Sequence, residues 1–260
     1  MLTRQAVDER VRAFLERPDQ AAVLTDFDGT LSPIVRHAAD ARPLPGVVAT
    51  LGQLARRFGR VAVISGRPAA YLTEHLTGID GPVILSGLYG LEEARPAGRG
   101  GWEVVERPDA SPWRGLVTEV ADRADRESPA EVSVERKGLA LTLHWRAHPD
   151  AAAWAQRWAA EAAAAHGLIA HPAKASVELR PPVERDKGHV VDELVGDLEL
   201  VCFVGDDVGD LPAFAALRRF SGTSLAVAVD SDEVASEVID QADLVVPGPE
   251  GALAFLRRLL

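Results

Sequence analysis

Short apolar runs recur along this chain, and most of them end on a polar or glycine residue. Ala21–Thr25 runs into Asp26, Val61–Ile64 into Ser65-Gly66, Pro82–Leu85 into Ser86-Gly87 and Leu200–Val204 into Gly205-Asp206. Leu225–Val229 and Leu244–Val246 add two more short apolar runs near the C-terminus, the second running into Pro247-Gly248. Runs of this length with no polar alternation predict parallel strands buried on both faces, with function at their carboxyl ends. Helical patterns lie around them, over residues 4–16, 46–58, 67–77 and near 188–195. The alternation predicts an α/β, doubly wound parallel sheet.

The middle third follows another rule. Residues 139–146 alternate strictly, with Leu139, Leu141, Leu143 and Trp145 on one side and Ala140, Thr142, His144 and Arg146 on the other. Segments 130–135 and 175–180 alternate too, and Arg136-Lys137-Gly138 reads as the hairpin turn. Helices are expected over about 112–126 and 150–166, the second with Asp150 as N-cap and Gly167 as C-cap. Trp154 and Trp158 share one face of it and should pack on the sheet. The opposite sheet face is polar and carries His144, Arg146, Glu178 and Arg180. Proline-rich stretches at 107–112 and 181–183 flank the segment. The expected organisation is therefore a core of 1–106 plus 184–260, with an α+β insertion over 107–183.

Composition changes little in this picture but narrows the partners. The 260 residues carry a formal net charge of -11, which disfavours nucleic acid and anionic membrane surfaces. The single cysteine, Cys202, excludes an internal disulfide and a thiolate zinc site. No apolar run approaches a membrane span, and the N-terminal residues lack an apolar leader stretch, so the cytoplasm is the expected compartment and a monomer the expected state.

The candidate chemistry sits at the strand ends. Asp26-Phe27-Asp28-Gly29-Thr30 places two carboxylates one residue apart. A strand would send them to opposite faces, and Gly29 allows the turn that lets them converge. Ser65-Gly66-Arg67-Pro68 offers a hydroxyl and main-chain amides at a helix start, a suitable anion site. Lys187 opens a helix, where a cation opposes the local dipole unless a ligand accounts for it. Gly205-Asp206-Asp207-Val208-Gly209-Asp210 gathers three acids that repel one another unless a cation intervenes. An all-oxygen set suits Mg²⁺ better than zinc.

In this order, the four motifs resemble those of the haloacid dehalogenase superfamily of phosphatases. The resemblance implies a Rossmann-like core with an inserted C2-type cap. It also implies Asp26 as nucleophile, Asp28 as general acid and base, and phosphate binding by Ser65, Gly66, Arg67 and Lys187. Mg²⁺ would be held by Asp26, the main-chain carbonyl of Asp28 and Asp206, with Asp207 and Asp210 behind them. Within the superfamily, SGRP, SGLYGLE (86–92), HWR (144–146), SVELRPP (176–182) and DKG resemble trehalose-6-phosphate phosphatases. That similarity implies a sugar phosphate as substrate, trehalose 6-phosphate first, with Lys174 and Glu178 on the sugar; Arg180, on the same strand face as Glu178, is a further candidate. The chain departs from the family pattern at Gly209, Leu211 and Tyr89. The alternatives are sucrose phosphate, mannosylphosphoglycerate, a pseudo-disaccharide phosphate, or a sugar phosphomutase. A non-catalytic binding module would be expected to lack Asp26 or Asp28.

Overall fold

The computed structural model describes residues 1–35, 40–173, 175–231 and 234–260, and at residue 99 the backbone only. Its strands in chain order are β1 Ala21–Thr25, β2 Arg60–Ile64, β3 Val83–Gly87, β4 Glu92–Ala97, β5 Gly101–Glu106, β6 Ser133–Arg136, β7 Leu141–His144, β8 Ile169–Ala173, β9 Ser176–Arg180, β10 Leu200–Gly205, β11 Thr223–Asp230 and β12 Leu244–Pro247. The helices are α1 Arg4–Glu16, α2 Val47–Ala55, α3 Ala69–His75, α4 Arg114–Glu127, α5 Ala152–His166, α6 Lys187–Val195, α7 Leu211–Arg219, α8 Ser236–Gln241 and α9 Gly248–Arg258. None is long and apolar enough to cross a membrane. The chain divides into two units, Met1–Val105 with Arg185–Leu260, and Glu106–Glu184.

The first unit is built on an eight-stranded sheet, ordered β12-β11-β10-β1-β2-β3-β4-β5. The pairs from β12 to β3 are parallel, and β4 runs antiparallel to β3. Successive residues of the central strands feed opposite cores. Val23, Val63 and Val204 pack with α1, α2 and α9 on one face. Leu24, Ile64 and Phe203 pack with α6, α7 and α8 on the other. Both faces are covered, which is why these strands read as unbroken apolar runs. The chain leaves β1 toward β2 and β3 on one side and returns as β10 on the other. The carboxyl ends of β1 and β10 therefore flank a topological switch point, where α/β sheets place ligands. Asp26 and Asp206 stand there.

The hairpin β4–β5 was absent from the sequence expectation. Its residues alternate less clearly, and β5 is an edge strand with Val104 and Val105 exposed.

The second unit is a four-stranded antiparallel sheet, ordered β6-β7-β9-β8. Leu141, Leu143, Val177 and Leu179 pack beneath α4 and α5. Trp154 and Trp158 stack with ring centres 6.2 Å apart, and Trp158 donates to Glu127 at 2.6 Å. Both tryptophans thus serve packing, as expected.

Two local expectations need correction, and one strand was not expected at all. Arg136 still belongs to β6, paired with Leu141, so the turn is Lys137–Ala140, closed by Lys137 N–H donating to Ala140 O at 2.9 Å. Asp150 lies inside a 3-10 turn, Pro149–Ala151, and α5 has no side-chain cap there. Strand β8 carries Pro172 and little apolar signal, but it is an edge strand, where a missing N–H is tolerated. Gly167, at φ 69°, does close α5.

Candidate active site

β1 delivers Asp26 to the sheet edge, and Asp26 N–H donates to Val204 O at 2.8 Å. This bond ties the start of the first motif to β10. The chain then turns at Gly29, which has φ 72°. A Cβ on Gly29 would lie 2.0 Å from Asp206 Oδ2, so the side chain of Asp206 occupies the space that any other residue would need. Thr30 donates to Asp206 Oδ1 at 3.2 Å and fastens the two loops together.

The acidic loop after β10 organises itself around Asp210. Asp210 Oδ2 accepts from the amides of Asp206 and Asp207, at 2.9 and 3.1 Å. Asp207 caps the following turn, accepting from Gly209 N–H at 2.8 Å. Asp210 Oδ1 receives Lys187 Nζ at 2.6 Å, and the same ammonium lies 2.7 Å from Asp26 Oδ1. Asp186 begins this segment by capping α6, accepting from His189 N–H at 2.9 Å. Lys187 therefore enters the site from the first residue of a capped helix.

The electrostatics follow from burial. Asp26, Asp206 and Asp210 are all buried, and their carboxylates lie within 4.8 Å of one another. Burial pushes Asp26 well above the usual carboxylate range; Lys187 opposes this, and Asp210 and Asp206 add to it. Burial, then Asp210 and Asp207, push Asp206 up to about 8. Asp210 is raised too, chiefly by burial. Burial by itself would lower Lys187, but Asp210 and Asp26 outweigh it and hold the ammonium well above its ordinary value. One ammonium faces three close carboxylates. This deficit of positive charge, presented by oxygen donors alone, fits a hard divalent cation. Both oxygens of Asp210 already accept hydrogen bonds, from Lys187 and two amides. Asp26 and Asp206 are the carboxylates left to an ion.

Asp28 belongs to a second group. Arg67 holds it in a fork, Nε to Oδ2 at 2.7 Å and Nη2 to Oδ1 at 2.8 Å. The guanidinium carbon lies 4.5 Å from the centre of the Tyr71 ring. The expectation for Arg67 was phosphate, whereas in this structure its guanidinium binds Asp28. Ser65 is buried and its hydroxyl accepts from Arg67 N–H at 3.1 Å. The expected anion site at the start of α3 is also altered. The first amide, Ala69 N–H, donates to Glu92 Oε2 at 2.8 Å. Gly66 is needed because a Cβ there would lie 2.6 Å from the Tyr89 hydroxyl oxygen.

The remaining candidates lie in the second unit. Glu178, expected on an open polar face, is buried. Lys137 Nζ donates to its Oε1 at 3.1 Å, and Arg180 Nε to its Oε2 at 2.8 Å. Burial opposes ionisation of Glu178, but Lys137 and Arg180 outweigh it and hold the carboxyl below the ordinary range. His144 pairs with Glu135 at 2.8 Å, and Arg146 lies exposed beyond β7. Lys174 lies outside the described residues. Thr30, Glu92 and Lys137 stood within stretches singled out in the sequence, but their partners did not, because each reaches its target only through the fold.

The profile of the trehalose-phosphatase family matches residues 24–249. A trehalose-phosphate phosphatase of Mycobacterium avium is 32% identical over 207 residues, covering 76% of this chain and 51% of that protein. An uncharacterized glycosyl hydrolase of Mycobacterium tuberculosis is 35% identical over 221 residues, covering 79% of this chain and 16% of its own. The chain thus spans about half the length, or less, of these two relatives. A trehalose-6-phosphate phosphatase structure from Aspergillus fumigatus superposes with a TM-score of 0.65 at 25% identity, covering 96% of both chains.

Proposed function

The chain belongs to the trehalose-phosphatase family, and from that premise we propose that it is a Mg²⁺-dependent phosphatase that cleaves trehalose 6-phosphate to trehalose and phosphate through an aspartyl-phosphate. The observation that carries this reading is the buried contact of Lys187 with Asp26, 2.7 Å, inside an acidic cluster at the switch point of the sheet. A carboxylate kept in reach of an ammonium, and short of positive charge, suits attack on a bound phosphoryl group.

The carboxylates of Asp26 and Asp206, with the main-chain carbonyl of Asp28, would hold Mg²⁺; when bound, the ion draws negative charge off the phosphoryl oxygens. Lys187 and Ser65 bind the same oxygens. An Asp26 oxygen attacks phosphorus in line. The new O–P bond forms as the bond from phosphorus to the sugar oxygen breaks. Asp28 gives its proton to the leaving alkoxide. It then takes a proton from the water that attacks phosphorus, which frees Asp26 and inorganic phosphate. Asp210 holds Lys187 and the Asp206–Asp207 amides in place throughout, and Asp207 shapes the turn.

The second unit supplies the sugar specificity, through Glu178, Arg180 and Lys174. Ionised side chains bind sugar hydroxyls strongly. The test is a panel of sugar phosphates assayed for phosphate release with Mg²⁺. Trehalose 6-phosphate should give the highest kcat/KM. A higher value for another sugar phosphate would move the assignment to that sugar and keep the chemistry.

A further inference from the structure

The segment Ser86–Glu92 takes no part in the reaction above, yet it is bound along the length of the Ser65–Ala69 loop. Ser65 N–H donates to Ser86 O at 2.9 Å. Leu88 N–H donates to Arg67 O at 2.9 Å, and Tyr89 N–H to Ser65 O at 3.0 Å. The last tie is the Glu92 carboxylate on Ala69 N–H at 2.8 Å. Leu88 and Tyr89 have φ of 49° and 57°. Two consecutive side-chain-bearing residues in the left-handed region are unusual, and they persist only where the surroundings dictate them. Here that conformation aims their two amides at the carbonyls of Ser65 and Arg67. Gly87 lets the turn come this close, since a Cβ on it would lie 2.4 Å from Ala69 N.

Glu92 is buried, and its carboxylate accepts from Ala69 N–H, the first amide of α3. A charge-assisted bond to a main-chain amide is among the stronger hydrogen bonds available. It fixes the first residue of α3, two positions after Arg67, and so the angle at which Ser65 and Arg67 leave the loop.

We propose that Glu92 is a positioning residue for the phosphate-binding loop, holding Ser65 and Arg67 in register through Ala69. The proposal rests on the phosphatase reading above. If it holds, loss of Glu92 damages the part of the site shared by all phosphate esters, whatever the leaving group.

The experiment compares Glu92→Ala, Glu92→Asp and Glu92→Gln with the wild type, all as the full chain. The readouts are kcat on trehalose 6-phosphate and on p-nitrophenyl phosphate, binding of inorganic phosphate by calorimetry, and Tm. A misplaced loop should lower kcat by about tenfold to a hundredfold on both esters, at least as much on trehalose 6-phosphate, where Arg67 also holds the acid Asp28, and weaken phosphate binding in step. Glu92→Gln, whose amide oxygen can still accept from Ala69, should restore most of both. Glu92→Asp withdraws the carboxylate by one methylene and carries the test should Glu92→Ala fail to fold. A folded Ala or Asp variant with wild-type kcat and phosphate affinity, changed only in Tm, overturns the proposal. Phosphate binding needs no turnover, so the two readings can fail separately. A wild type that binds phosphate, cleaves neither ester, and binds phosphate less well without Glu92 loses the phosphatase reading but keeps the positioning role. A wild type that binds no phosphate overturns both.

Discussion

Arg67 grips Asp28 by both carboxylate oxygens, at 2.7 and 2.8 Å, while its own guanidinium rests against Tyr71. The fork sets the position from which Asp28 serves the acid step. Lysine is a point charge and cannot reproduce this geometry. We expect Arg67→Lys to lower kcat on trehalose 6-phosphate by about a hundredfold, the scale of a general acid. The loss on p-nitrophenyl phosphate, whose leaving group needs no proton, should be smaller. Equal losses on the two esters would mean that Arg67 acts on the phosphoryl group itself.

Asp26→Asn removes the nucleophile with little change of shape. Turnover should fall by at least about a thousandfold. Burial and the neighbouring acids disfavour ionised Asp26, so the neutral side chain relieves repulsion while Lys187 keeps Asp210. In chelator, Tm of the variant should equal or exceed that of the wild type. A variant that turns over normally would remove Asp26 from the mechanism.

Mg²⁺ should stabilise the fold by linkage. At a hundredfold excess over Kd the gain is about 2.7 kcal/mol. At ~2–4 °C per kcal/mol, Tm should rise by roughly 5–10 °C. Asp206→Asn should abolish the shift, and EDTA should abolish wild-type turnover. A Tm insensitive to Mg²⁺ would count against the metal assignment.

Gly29→Ala puts a Cβ 2.0 Å from Asp206 Oδ2 at a φ of 72°. The left-handed backbone alone costs about 1–2 kcal/mol. The larger effect should be displacement of Asp206, read as a weakened Mg²⁺ response in Tm and a lower kcat. An unchanged Mg²⁺ response would show that Asp206 can move without loss.

Glu178 gives the pH dependence of the second unit. Despite the burial that opposes ionisation, Lys137 and Arg180 hold its carboxyl below the ordinary 4.5. A value lower in the folded than in the unfolded chain means stability that is present above about pH 4.3–4.5 and lost as pH falls through the folded value. Glu178→Gln should flatten that acid limb. Removing one member of a buried pair costs about 3–5 kcal/mol, less whatever Glu135, 3.6 Å from Lys137, recovers. In kinetics, Glu178→Ala should raise KM for trehalose 6-phosphate and leave p-nitrophenyl phosphate unaffected. Equal changes on both would sever the second unit from sugar recognition.

The core of the fold was legible because β1, β2, β3 and β10 are covered on both faces and must be apolar throughout. Asp26, Ser65 and Asp206 stood out because each interrupts such a run at its carboxyl end. β8 was not legible, since an edge strand bearing Pro172 needs neither apolar alternation nor every amide. The Asp150 cap failed for a similar reason: a 3-10 turn took over the start of α5 and left that carboxylate outside it.

By itself the sequence determined the strand-end positions of the acids and the helix-start position of Lys187, because burial, turn geometry and capping are local demands. It also determined the chemical character of the acidic loop, three carboxylates that call for a cation. Which side chain meets which was decided only in three dimensions. Arg67 lies on Asp28, Glu92 lies on Ala69, and Asp210 serves Lys187 and two amides together. These partners are separated by up to 39 residues along the chain. They meet because the sheet order brings the loops after β1, β2 and β10 to one edge, where each buried polar atom takes the nearest partner that satisfies it.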